Sequence, residues 1–215
     1  MLKLLIFDLD GTLADTGRDI TDALNYALHP FGVRTYSIEE TKAMVGSGIS
    51  KLLASLLPVN DEGTRQRVTD RFISYYSAHV VDYTAAYPQV KETLTQLDGY
   101  KKAVVSNKRT ALSKEVLRGV GLLQYFDVVC GSDSVRAIKP SPLPILDLMD
   151  RFHVLPEETV IIGDSNYDVE AGKAAGIRTI AVTYGFRSRD VLKDADFLID
   201  RFDDLPHTLR QINKA

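Results

Sequence analysis

The chain has 215 residues, 45% hydrophobic and 26% charged, with a formal net charge of −3. Those proportions fit a globular protein of one large domain, or a core domain with a smaller insert, and offer no bulk attraction for nucleic acid or an anionic membrane. The single cysteine, Cys130, excludes an intrachain disulfide and a multi-cysteine metal site, His29, His79, His153 and His207 stand too far apart to ligate together, and no apolar run approaches a membrane span.

Leu4-Leu5-Ile6-Phe7 predicts a buried strand at the very start, with no signal peptide before it, so a cytoplasmic protein is expected. Asp8-Leu9-Asp10-Gly11-Thr12 follows it directly. From about Asp15 to Tyr83 the patterns are helical only. Ile20, Ala23, Leu24, Ala27, Leu28 and Phe31 form one stripe, and Ile49, Leu52, Leu53, Leu56 and Leu57 a second. Val68, Phe72, Tyr75, Tyr76 and His79 form a third, and all three stripes read as helix packing. Ser37-Ile38-Glu39-Glu40 has the form of a capping box.

Beyond about Tyr100, strands and helices alternate. Strands are expected at 102–106, 127–130, 159–163 and 178–182, with an edge strand at 197–199. Helices are expected at 110–120, from Ser141-Pro142 to about Phe152, at 167–175, briefly from Ser188, and at 203–212. Gly121 and Gly176 stand where a left-handed residue ends a helix. The predicted fold is α/β: a Rossmann-like parallel core, residues 1–14 and 84–215, with a helical cap domain, residues 15–83, inserted after the first strand.

Asp8 and Asp10 lie two apart at a strand end, so their side chains share a face. Parallel sheets bind ligands at that carboxyl edge. Two anions on one face require a cation between them, a shared proton, or both. Chance alone would place Asp-x-Asp-Gly-Thr in roughly one chain of this size in a thousand, which makes this the most specific signal in the sequence. Three further loops carry related groups: Ser106-Asn107-Lys108, Lys139-Pro140-Ser141-Pro142, and Gly163-Asp164-Ser165-Asn166-Tyr167-Asp168. In a parallel sheet these loops gather at one edge. Their hard carboxylate oxygens suit Mg²⁺. Lys108 and Arg109 are expected at the surface.

These four loops, in this order, resemble the haloacid dehalogenase superfamily of phosphotransferases, over essentially the whole chain. The resemblance implies a Mg²⁺-dependent phosphatase with Asp8 as nucleophile, forming an aspartyl-phosphate, and Asp10 as general acid and base. It implies Mg²⁺ held by the Asp8 carboxylate, the Asp10 backbone carbonyl and Asp164, with Asp168 behind them. Ser106, the Asn107 backbone N–H and Lys139 would hold phosphoryl oxygens, with Thr12 of the first motif beside them. By the same resemblance, dehalogenases and phosphonatases lack an acid at the position of Asp10, so phosphate ester hydrolysis is favoured.

Within the expected cap, Gly46-Ser47-Gly48 opens a helix and offers backbone N–H groups to an anion. The segment resembles the cap loop of phosphoglycolate phosphatases, which makes phosphoglycolate the first substrate to consider. The other reading is a helix–helix turn whose glycines supply positive φ. Lys42 and Lys51 are further candidates for reaching the leaving group. Other substrates within the superfamily are pyrophosphate, a nucleoside monophosphate, or a sugar phosphate with mutase activity. A different class is a non-catalytic phosphometabolite-binding regulatory protein, against which the intact Asp8, Asp10, Lys139 and Asp164 argue. The expected partner is a small phosphorylated metabolite, with no nucleic acid or membrane, and the protein a monomer or homodimer.

Overall fold

The computed structural model of the chain describes residues 1–57 and 61–214. In chain order the elements begin with β1 (Leu4–Phe7), β2 (Ala14–Asp15), α1 (Gly17–Leu28), α2 (Ile38–Met44), α3 (Ile49–Leu56) and α4 (Glu62–Ala78). They continue with β3 (Ala85–Ala86), α5 (Val90–Thr95), β4 (Lys101–Val105), α6 (Thr110–Gly119) and β5 (Val128–Cys130). The chain ends through α7 (Leu143–Phe152), β6 (Thr159–Gly163), α8 (Asn166–Ala174), β7 (Arg178–Val182), β8 (Phe197–Ile199) and α9 (Leu205–Ile212).

Six strands form one sheet in the order β5-β4-β1-β6-β7-β8, and every pair is parallel. The strand β1 lies between β4 and β6, with Leu4 opposite both Lys101 and Thr159. All four β1 residues are buried because both sheet faces are covered. The pleat sends Leu5, Phe7, Val104, Val160 and Ile162 to the face packed by α5, α6 and α9. Leu4, Ile6, Ala103, Val105 and Ile161 point to the other face, against Ile145, Leu148 and Met149 of α7 and Ala171 of α8. The carboxyl ends of β4, β1 and β6 therefore sit side by side at the centre of one edge, and each is followed by a polar loop.

Helices α1 to α4 fall inside the 15–83 segment expected to be helical; residues 58–60 of it, like Ala215 of the expected core, lie outside the described residues. Helix α1 packs along α4, with Leu24 and Phe72 buried in the contact region. Apolar packing runs on without a break from Phe7 and Leu9 through Leu13 to Leu24, Val68 and Tyr76. Where the chain leaves and re-enters the sheet region, β2 pairs antiparallel with β3.

The capping box at Ser37 and Glu40 forms as expected, and Gly121 and Gly176 take left-handed φ of 70° and 73°. Several short elements differ from expectation. Strands β2 and β3 and helix α5 were not indicated by the sequence pattern. The expected helix from Ser188 is a 3-10 turn, Arg189–Leu192, and α9 starts at Leu205 after another such turn. Such pieces are fixed by what they pack against, because they are too short to show a period.

Candidate active site

The first strand delivers its two acids to the sheet edge. The Asp8 N–H bonds the Ile162 carbonyl at 2.9 Å, continuing the ladder one residue past the strand. Gly11 turns the chain with φ +83°, and a Cβ there would stand 2.1 Å from Asp164 Oδ2, so only glycine lets the two loops approach. Asp8, Asp164 and Asp168 are all buried, and each offers an oxygen within 4.8 Å of the others. The Lys139 ammonium lies 2.8 Å from Asp8 Oδ1 and 2.6 Å from Asp168 Oδ1, itself almost wholly buried.

The charges explain the proton affinities. Burial pushes the Asp8 carboxyl up to about 7, with Lys139 opposing the rise and Asp168 and Asp10 adding to it. Asp164 is raised well above the ordinary range by burial, then by Asp8 and Asp168, against a hydrogen bond from the Phe186 N–H. Burial works to lower Lys139, but Asp168 and Asp8 outweigh it and hold the ammonium above its usual value. Three carboxylates facing one lysine are short of positive charge. That shortage, with oxygen-only donors, fits a bound Mg²⁺.

Asp168 is spoken for by the protein. Its Oδ1 accepts from Lys139, and its Oδ2 accepts from the Ser165 backbone N–H (3.1 Å) and hydroxyl (2.6 Å), capping α8. Asp10 Oδ1 accepts from the Thr16 hydroxyl at 2.6 Å and from Lys108 Nζ at 2.5 Å. Ser106 is buried at the end of β4, where its Oγ accepts the Lys108 N–H. The Asn107 side chain is a clamp: Oδ1 accepts from the Lys139 N–H (3.0 Å), while Nδ2 donates to the Lys139 and Gly46 carbonyls (2.9 and 2.7 Å). Asn107 thus sets the loop that carries Lys139, a role beyond the backbone N–H expected of it.

A cleft opens above these groups between the sheet edge and the helical segment. Asp8, Asp10, Ser106, Asn107, Lys139 and Asp164 line its floor. Gly46 and Gly48 line the opposite wall with Ile20, Ile49, Leu52 and Phe72.

Five residues lie otherwise than expected. Thr12 does not line the cleft: it is fully buried, and its N–H is taken by the Leu9 carbonyl. Ser47 does not line it either, because the positive φ of Gly46 and Gly48 brings those glycines, not the serine, to the wall. Lys42 pairs with Asp15 at 2.7 Å, and Lys51 is exposed away from the cleft. Lys108, expected at the surface, is buried between Asp10 and the Tyr76 hydroxyl, to which its Nζ donates at 2.8 Å. Burial works to lower the Lys108 pKa, and Asp10 and Tyr76 overcome it to raise it; burial pushes the Tyr76 phenol up to about 12.

Arg109 is exposed, as expected of it, and also lines the cleft; sequence reasoning missed Tyr167, Phe186 and Arg187, which line it too. Arg109 adjoins the 106–108 motif and Tyr167 lies inside the 163–168 motif, but Phe186 and Arg187 sit in a loop with no distinguishing pattern.

Residues 5–182 match the haloacid dehalogenase-like hydrolase family. The chain belongs to that family. It is 36% identical to a phosphoglycolate phosphatase of Aquifex aeolicus over 95% of both chains. It is 35% identical to one of Nitrosospira multiformis, over 92% of this chain and 91% of that one. The structure of a predicted phosphoglycolate phosphatase from Haemophilus somnus superposes with a TM-score of 0.89 at 29% identity, covering 97% of this chain and 98% of that one. Among the described residues, no helix is long and apolar enough to cross a membrane.

Proposed function

We propose that this protein is a Mg²⁺-dependent phosphatase that hydrolyses a small phosphomonoester through an aspartyl-phosphate on Asp8. The observation that carries the reading is the buried trio Asp8, Asp164 and Asp168 facing Lys139, with Asp10 on the same cleft floor.

An Asp8 carboxylate oxygen attacks phosphorus and the bond from phosphorus to the leaving oxygen breaks. Asp10 delivers the proton that the leaving oxygen needs. Its Oδ1 is held by Thr16 and Lys108, while Oδ2 accepts no hydrogen bond among the described residues and is free for that transfer. A water then attacks the acyl phosphate, Asp10 takes its proton, and Asp8 departs as carboxylate. Lys139 and Ser106 hold the phosphoryl oxygens, with Asn107 fixing the loop of Lys139. Mg²⁺ would be held by the Asp8 and Asp164 carboxylates and the Asp10 backbone carbonyl, with Asp168 steadying the set from behind. When bound it neutralises the carboxylates against an anionic substrate and stabilises charge on the transferring group.

The helical segment 15–83 acts as a cap in this reading. Its apolar wall of Ile20, Ile49, Leu52 and Phe72, with side-chain-free Gly46 and Gly48, suits a short leaving group. Phosphoglycolate is the first substrate to test, on the strength of the relatives' names and of the cation Lys108 in the cleft. Phosphate release is measured across small phosphomonoesters with and without Mg²⁺. Asp8→Asn should abolish it by at least about 10⁴-fold; release that survives the change removes Asp8 as nucleophile.

A further inference from the structure

The loop from Tyr184 to Arg187, after β7, holds both sides of the cleft. On the core side, the Phe186 N–H donates to Asp164 Oδ2 at 2.6 Å and the Tyr184 hydroxyl to the Thr12 carbonyl at 2.9 Å. On the other side, the Arg187 guanidinium reaches the end of α2. Nη1 donates to the Lys42 carbonyl at 2.7 Å, and Nη2 donates to the Val45 carbonyl. Carbonyls at a helix end have no partner within the helix, and a cation there also meets the negative end of the helix dipole.

Among the described residues Arg187 makes no salt bridge; its half-buried charge lies near enough to Asp164 to favour that carboxylate, and its donors go to neutral carbonyls of the helical segment. The same stretch is also held where Asn107 Nδ2 donates to the Gly46 carbonyl, where Lys42 pairs with Asp15, and where the Lys42 ammonium lies 5.2 Å from the centre of the Phe186 ring. Gly46 itself is seated closely: a Cβ there would lie 2.9 Å from the Tyr167 ring and 3.3 Å from the Arg187 guanidinium. Everything that Arg187 grips is continuous with the cleft wall at Val45, Gly46, Gly48 and Ile49.

We propose that Arg187 is a positioning residue that latches the 42–48 stretch of the helical segment onto the core, and so sets how much of the protein has its cleft closed. The kinetic part of this proposal rests on the phosphatase reading; the latch itself does not. A binding-competent state that is only partly populated weakens apparent affinity by that fraction. Once substrate is seated, its own contacts help to close the cleft. Loss of the latch therefore acts on KM more than on kcat.

The test compares Arg187→Ala and Arg187→Lys with the wild type, after their melting curves show that each is folded. In Arg187→Ala, amides of residues 42–52 should exchange with solvent about tenfold faster, while those of β1 and β4 keep their rates. For the substrate that the wild type hydrolyses, KM should rise about tenfold with kcat within about twofold. Arg187→Lys, which keeps the charge but not the fork of donors, should fall between. Unchanged exchange at 42–52 in both variants would overturn the latch. So would a fall in kcat at constant KM, which would put Arg187 on the reacting groups. A wild type without Mg²⁺-dependent phosphate release would sink the phosphatase reading, and the exchange rates would still decide the latch.

Discussion

The two walls of the cleft are built by different physics. The sheet-edge wall is ionic: Asp8, Asp164, Asp168 and Lys139 lie buried within a few ångströms of one another, fixed by strand ends and by the capping of α8. The facing wall is apolar and borrowed from helix packing, and its segment meets the core through backbone carbonyls, one phenol and the Thr16 hydroxyl on Asp10. A set of buried charges is all-or-none, because removing one member strands the rest. An apolar wall degrades by degrees and can move, since its few polar ties to the core can be exchanged for water. The proposed chemistry thus sits on the rigid side and the proposed closure on the other, a division suited to a site that must both hold charge and admit substrate.

The largest break in that contrast should come from Lys139→Met. The change leaves Asp8 and Asp168 buried without their shared cation, at a cost of about 3–5 kcal/mol in urea denaturation without metal. Mg²⁺ should restore part of that loss. Phosphate release should fall by about 10³-fold or more, because the phosphoryl group loses a fixed positive charge. A variant as stable and active as the wild type would mean that the sheet edge is not organised by charge.

Leu24→Ala sharpens the comparison from the other side. Leu24 is fully buried on α1 against α4, and its truncation should cost about 2–5 kcal/mol. The apolar cluster runs unbroken from Phe7 to Tyr76, yet the chain crosses between the regions only at β2 and β3. If residues 15–83 form a separate unit, amides of α1 and α4 should exchange faster while those of β1 and β6 hold. Equal acceleration everywhere would place no energetic boundary between the regions.

The same contrast decided what could be read from sequence. Asp8, Asp10 and Asp164 stood out because each follows a buried strand, and parallel pairing leaves such loops one edge on which to meet; Lys139 was marked only by its place just before a helix. Helices α1, α3 and α4 were legible as apolar stripes, but a stripe does not say which of its residues faces a cleft. Tyr76 reads as packing and also carries the hydroxyl that receives Lys108. Lys108 itself looks like any loop lysine, since burial of a charge by a partner 98 positions away leaves no local trace. Arg187 was illegible for the same reason, its acceptors being carbonyls more than 140 positions off. Thr12 and Ser47 failed the other way: the motif marked them, but turn geometry sent Thr12 inward and put Gly46 and Gly48 at the wall.

The smallest expected effect lies at the start of α2, one turn or so from the latched carbonyls. Glu40 Oε2 accepts from the Ser37 N–H at 2.8 Å, and Arg34 Nη2 donates to Oε1 at 2.6 Å. Arg34 first, and then the Ser37 N–H, pull the carboxyl from its ordinary 4.5 down to about 2. A folded-state value below the unfolded one means stability that is present above about 4.5 and lost as the pH falls through about 2. Glu40→Gln should therefore melt slightly below the wild type at pH 7, with the gap closing as the pH falls and shrinking in high salt, because the pair is exposed. Its effect on KM should be much smaller than that of Arg187→Ala, since the box secures the far end of α2 and not the stretch at the wall. Equal effects of the two variants on KM would move control of closure from the Arg187 end of α2 to its Ser37 end.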